Sequence, residues 1–65
     1  MSRSVLRALE GCRVSLALAD GRRIDKCQLV SAGRGRLGRA WIFADGADAF
    51  VSLAEILDVW EEPLA

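Results

Sequence analysis

The side chains best placed by type and spacing to do chemistry are arginines. Arg34, Arg36 and Arg39 fall in the stretch Ser31-Ala32-Gly33-Arg34-Gly35-Arg36-Leu37-Gly38-Arg39, with Arg22, Arg23 and Lys26 a little earlier in the chain. A guanidinium forks onto phosphate oxygens and its plane stacks on bases. Arginines spaced by glycine therefore suit single-stranded nucleic acid, where affinity comes mostly from phosphate neutralisation and falls with salt. The same residues also serve a loop that only keeps the chain solvated. The run is not a phosphate-cradling P-loop, because it lacks the GK[ST] ending.

Other chemistries find little footing. The chain has no histidine, which removes the commonest general base and metal ligand. Serines without a nearby base are not activated nucleophiles, and acids such as Asp45, Asp48, Glu55 and Asp58 sit where turns and surfaces ordinarily carry them. Neither catalysis nor a cofactor or metal is expected. Cys12 and Cys27 make no disulfide framework and fit a reducing, cytoplasmic setting. No apolar run approaches the roughly 20 residues of a membrane span, and no apolar leader is evident.

The net charge of zero hides an asymmetry. All nine basic residues lie between Arg3 and Arg39 with only Glu10, Asp20 and Asp25, a local excess of +6; residues 40–65 hold six acids and no base, −6. Such a split suits an electrostatic partner, internal pairing, or head-to-tail contact between copies.

These residues need elements to position them. Ser2 or Ser4 can cap a short helix reaching Leu9 or Glu10, with Val5, Leu6 and Leu9 as its apolar stripe and Gly11 as a left-handed stop. Cys12, Val14, Leu16 and Leu18 then alternate with Arg13, Ser15, Ala17 and Ala19, a half-buried strand. Asp20-Gly21 is a hairpin signal. On the return strand, Arg22 to Ala32, Ile24 is out of phase with Cys27 and Leu29; a bulge near Asp25-Lys26 restores the phase and bends the strand. If Asp20-Gly21 forms the turn, Cys27 faces Val14 and Cys12 faces Leu29. The two thiols are then buried diagonal neighbours about 7–8 Å apart or slightly less, too far for a disulfide.

A third strand over Ala40–Ala44, a second tight turn at Asp45-Gly46 and a fourth strand ending at Ser52 follow. Leu53-Ala54-Glu55 suits one 3₁₀ turn, and Ile56–Trp60 a fifth strand that is apolar on both faces except at Asp58 and suits a sheet edge pairing between subunits, ended by Pro63. In the hairpin about Asp45-Gly46, Trp41, Phe43 and Phe50 share one face and Ala40, Ile42, Ala49 and Val51 the other. With both faces apolar, one lines the core; the helix with a neighbouring copy is the natural cover for the other, the helix and loops alone being the alternative. Trp41 and Trp60 are expected to pack rather than to offer a stacking platform.

The stretch Leu9-Glu10-Gly11-Cys12-Arg13-Val14-Ser15-Leu16-Ala17-Leu18-Ala19-Asp20-Gly21-Arg22 resembles the first motif of Sm-like proteins: L-x-G after a short helix, an alternating strand and an acidic-Gly turn. Phe50-Val51-Ser52-Leu53-Ala54-Glu55-Ile56-Leu57-Asp58-Val59 is similar to the end of the related barrel in bacterial ribosome-maturation factors. The resemblance implies the fold and ring or oligomer formation. It does not carry over RNA-binding residues. Lys26 stands where that family usually has glycine, Ser31-Ala32-Gly33 replaces its Asp-x-Asn loop, and Ser52-Leu53-Ala54 replaces the basic element of its second motif.

The expectation is one domain over residues 1–65, mainly β: a short N-terminal helix at about 3–10, then a five-stranded SH3-type/Sm-like small barrel over about 12–61, preferred to an open α+β sheet. The expected function is that of a non-enzymatic, oligomeric small barrel binding RNA or single-stranded nucleic acid through Arg34, Arg36 and Arg39, with Arg22, Arg23 and Lys26. The alternative is a protein-interaction module using the apolar face of Trp41, Phe43, Phe50 and Trp60, or the acidic C-terminal half.

Overall fold

Apolar alternation sets the strands of this protein, and glycine or aspartate marks where each one turns. The structure, a computed structural model, describes residues 3–33 and 38–63. The helix α1 spans Arg3–Ala8, and five strands follow: β1 Arg13–Leu18, β2 Arg23–Ser31, β3 Arg39–Ala44, β4 Ala47–Ser52 and β5 Ile56–Glu61. A 3₁₀ turn, Leu53–Glu55, joins β4 to β5, as the sequence predicts. The strands form one antiparallel sheet in the order β4-β3-β2-β1-β5.

The helix is shorter than expected and Ser4 lies inside it rather than capping it; Ser2 is outside the described residues. The chain leaves α1 through tight turns, Leu9 N–H to Leu6 C=O at 3.1 Å and Glu10 N–H to Arg7 C=O at 3.1 Å. Gly11, at φ 86°, then swings its N–H onto the Leu29 carbonyl at 2.7 Å and starts β1.

Two irregularities cancel in the β1–β2 hairpin. Its loop holds three residues, Ala19-Asp20-Gly21, not Asp20-Gly21 alone: Leu18 N–H bonds the Arg22 carbonyl at 2.9 Å, and Gly21 takes the left-handed position at φ 88°. That loop slips the register by one. The bulge at Asp25-Lys26 slips it back, since both residues lie opposite Ser15, between the Val14–Cys27 and Leu16–Ile24 pairs. The expected Val14–Cys27 and Cys12–Leu29 juxtapositions therefore hold, the latter through a 3.0 Å bond from Leu29 N–H to Cys12 C=O. Both cysteines are free thiols; Cys27 is buried and Cys12 half-buried rather than fully so. Asp45 and Gly46, both at positive φ (53° and 79°), make a true two-residue turn between Ala44 and Ala47.

The core lies on the inner face. Leu6 comes from α1, Val14, Leu16 and Leu18 from β1, Cys27 and Leu29 from β2, Ala40 and Ile42 from β3, Val51 from β4, and Ile56 and Val59 from β5. Leu6 is fully buried among these inner-face residues, so the helix docks there and not on the aromatic side.

Among the described residues no ladder joins β4 to β5, so the sheet is open where a closed or nearly closed barrel was expected. It is nevertheless strongly coiled. Five flat strands set their outer members about 19 Å apart. Only three residues separate Ser52 from Ile56, and four chain steps reach at most about 14 Å. The turn is tied down by Leu53 N–H to Gly38 C=O at 2.7 Å and Ala19 N–H to Glu55 C=O at 2.8 Å.

Candidate functional site

The β3–β4 hairpin presents the most distinctive surface. Its pairing sets Trp41 opposite Phe50, Phe43 opposite Asp48 and Arg39 opposite Ser52. Alternation sends Ala40, Ile42 and Val51 into the core and these residues outward. The outer face is uncovered: Trp41, Phe43 and Phe50 are 38%, 45% and 63% exposed. Ala49 is exposed as well, because β4 is an edge strand. Trp41 and Phe50 stack with ring centroids 6.0 Å apart, and Trp41 Nε1–H donates to Asp48 Oδ1 at 3.1 Å. Val30, the extra residue of a second bulge in β2, adds to the exposed apolar surface on the neighbouring strand. None of the four aromatic side chains belongs to the core.

The expectation that Trp41 packs away from solvent is thus corrected. A chain this small has a core of aliphatic side chains only about one layer deep, and the bulkiest rings are left outside it.

Trp60 is not part of that surface. It lies on β5 opposite Ser15, at the far side of the sheet. Across the ladders Trp60 lies opposite Ser15 and Arg23 opposite Ala17, both small residues of β1, and the Arg23 guanidinium lies 5.3 Å from the Trp60 ring centroid. Trp60 Nε1–H donates to Glu62 Oε1 at 2.9 Å, and the same oxygen accepts Ser15 Oγ–H at 3.1 Å. Ser15 Oγ in turn accepts the Lys26 N–H of the bulge at 3.1 Å. The one sequence signal for this network is a serine at an outward position of β1, between the apolar Val14 and Leu16. Beside it an open groove of about 500 Å³ is lined by Gly11, Cys12, Arg13, Gln28, Glu61 and Glu62.

Two residues of the expected basic site are ion-paired within the chain. Arg34 and Arg36 lie outside the described residues. Arg22 is paired with Asp20 at 2.6 Å and Arg23 with Asp25 at 2.9 Å. The Arg22 backbone N–H and guanidinium both donate to the Asp20 carboxylate and hold its pKa below the usual 3.8. Lys26 is exposed on the bulge, and Arg39 is exposed on the outer face in line with Trp41 and Phe43. Among the described residues both ion pairs join a base to an acid of the same basic segment. Among the described residues Asp45, Asp48, Glu55, Asp58, Glu61 and Glu62 make no ion pair.

No cluster of three potential metal ligands occurs among the described residues, and no described helix is long and apolar enough to cross a membrane. Compared with protein-family models, curated proteins and solved structures, the chain matches none.

Proposed function

We propose that this chain is a non-enzymatic binding module of the small-barrel type, and that it works by docking another polypeptide on the outer face of β3 and β4. The exposure of Trp41, Phe43 and Phe50 together, on a face with a charged residue at either end, carries this reading. An apolar centre with a polar rim is the anatomy of protein interfaces, and aromatic rings supply most of their hot spots. Full burial of a large apolar side chain is worth roughly 1.5–3 kcal/mol, and these rings are only about half buried. The small-barrel type is supported by the coil of the sheet and by the 3₁₀ turn that carries the chain from one edge strand straight to the other. Two free thiols suit a reducing compartment.

The reading is tested by placing a photo-crosslinking phenylalanine analogue at Phe50 and, as control, at Glu55. Adducts with a polypeptide from Phe50 and not from Glu55 are expected; their absence would refute a protein-docking face.

A second reading, single-stranded RNA or DNA, is favoured by Arg39 lying beside exposed rings on which bases can stack. Arg34 and Arg36 immediately precede it in sequence. It requires anisotropy of a labelled single strand to show binding that weakens steeply between roughly 50 and 200 mM salt and is lost in Arg39→Ala. Against it stand Asp45 and Asp48 at the other end of the same hairpin.

A further inference from the structure

We infer that the polypeptide docked on this face is a second copy of the chain, seated by a two-fold axis that crosses the strands at the Trp41–Phe50 pair. The inference rests on the docking reading above and names its partner.

The argument is one of charge along the hairpin. On the outer face, β3 runs Arg39, Trp41, Phe43 and β4 runs Asp48, Phe50, Ser52, with Trp41 opposite Phe50 in the middle. One end of the ribbon is therefore basic, at Arg39. The other end is acidic, at Asp48 and the turn residue Asp45. The rings lie between the two ends. A rotation of half a turn about an axis through the middle pair lays each Trp41 and Phe50 on its counterpart. It also brings Arg39 of each copy to the Phe43–Asp48 end of the other. Two guanidinium–carboxylate contacts then flank an apolar centre, and the same patch serves both copies, as a two-fold interface requires. A parallel overlay would set like charges together, so the pattern also selects the orientation.

Intramolecular pairing leaves these charges available. Asp48 is held by Trp41 through one oxygen only, and neither Arg39 nor Asp45 forms an ion pair among the described residues. Phe50, the most exposed of the rings, sits on the axis together with Trp41. The contact is confined to a hairpin and the neighbouring Val30. Its area falls at the small end of the range, below about 1,200 Å² in total, and the association is expected to be reversible.

Sedimentation equilibrium on the full chain reads this out. A concentration-dependent rise from 7.1 kDa towards twice that mass is expected. Arg39→Asp and Asp48→Arg should each return the chain to a monomer at concentrations where the wild type is dimeric. The double variant, with the charges exchanged, should dimerise again. Near-UV circular dichroism checks that each variant is folded; should Arg39→Asp not fold, Arg39→Ala with the same expectation replaces it.

A wild-type chain that stays monomeric up to about 1 mM, where even a millimolar dissociation constant would show, overturns the inference. So does a dimer indifferent to Arg39→Asp. The crosslink at Phe50 separates the two levels. A monomer whose Phe50 position still captures a different polypeptide refutes the second copy and leaves the docking face standing. A monomer with no polypeptide adduct refutes both. A monomer whose binding of labelled single-stranded RNA is lost in Phe50→Ala makes the face a nucleic-acid platform instead.

Discussion

Lys26 is the residue where local preference and fold disagree most. Its φ of 53° places an ordinary side chain in the left-handed region, which costs an L-residue roughly 1–2 kcal/mol. Replacing it with glycine removes that strain at the expense of a more flexible unfolded chain. Lys26→Gly is therefore expected to raise stability by up to about 1 kcal/mol in urea denaturation. A loss of stability would mean that the lysine side chain holds the bulge. Cys27 gives a pH signature. Burial pushes its thiol above the usual 9.0, and the Asp25 charge adds to the effect. A pKa raised by folding means that the contribution is whole below the ordinary thiol value and is lost as pH rises through the folded one. The stability difference between wild type and Cys27→Ala should accordingly be constant up to about pH 8 and shrink towards pH 10. A difference independent of pH would show that the thiol is not desolvated.

At the scale of elements, the β2-β1-β5 side depends on one hydroxyl. Ser15 is 1% exposed, accepts the bulge N–H and donates to Glu62. Ser15→Ala leaves the Lys26 N–H without its partner and should cost about 1–3 kcal/mol in urea. Glu62→Gln keeps an acceptor for Trp60 and should cost less. Gly33 performs a comparable service between β2 and β3. At φ 83°, a Cβ there would collide with the backbone carbonyl of Arg39, which cannot swing aside as a side chain could. Gly21 has a similar φ and open space around it. Thermal melts should show Gly33→Ala losing clearly more stability than Gly21→Ala, whose cost is the backbone strain alone, about 1–2 kcal/mol. Equal losses would mean that the chain at Gly33 can move away from Arg39.

For the whole molecule, the exposed rings reflect a shortage of interior. A chain of 65 residues has too little interior for every large apolar side chain. Its core is built from aliphatic side chains and Cys27, and the aromatic face waits for a cover. If association supplies that cover, the thermal midpoint must rise with protein concentration, and this rise should vanish in Phe50→Asp. A midpoint independent of concentration in the wild type would show that the free monomer is the stable form.

The elements, and which residues share a face of each, were legible in the chain. Period-two alternation located β1 and sorted β3 and β4 into inner and outer residues. Asp45-Gly46 marked its turn, and the broken phase of Ile24 against Cys27 disclosed the bulge. These features are local, fixed by side-chain direction and turn sterics within a few residues. The remaining features came from contacts between distant segments. Whether the loop at Asp20-Gly21 held two residues or three depended on a register that the bulge then compensated. The pairing of Arg22 and Arg23 with Asp20 and Asp25 needs the side chains placed in space. Which of two apolar faces became the core was settled by where α1 put Leu6 and by the coil of the sheet. Burial is a property of the surroundings that non-local contacts create, and no stretch of sequence contains its own surroundings.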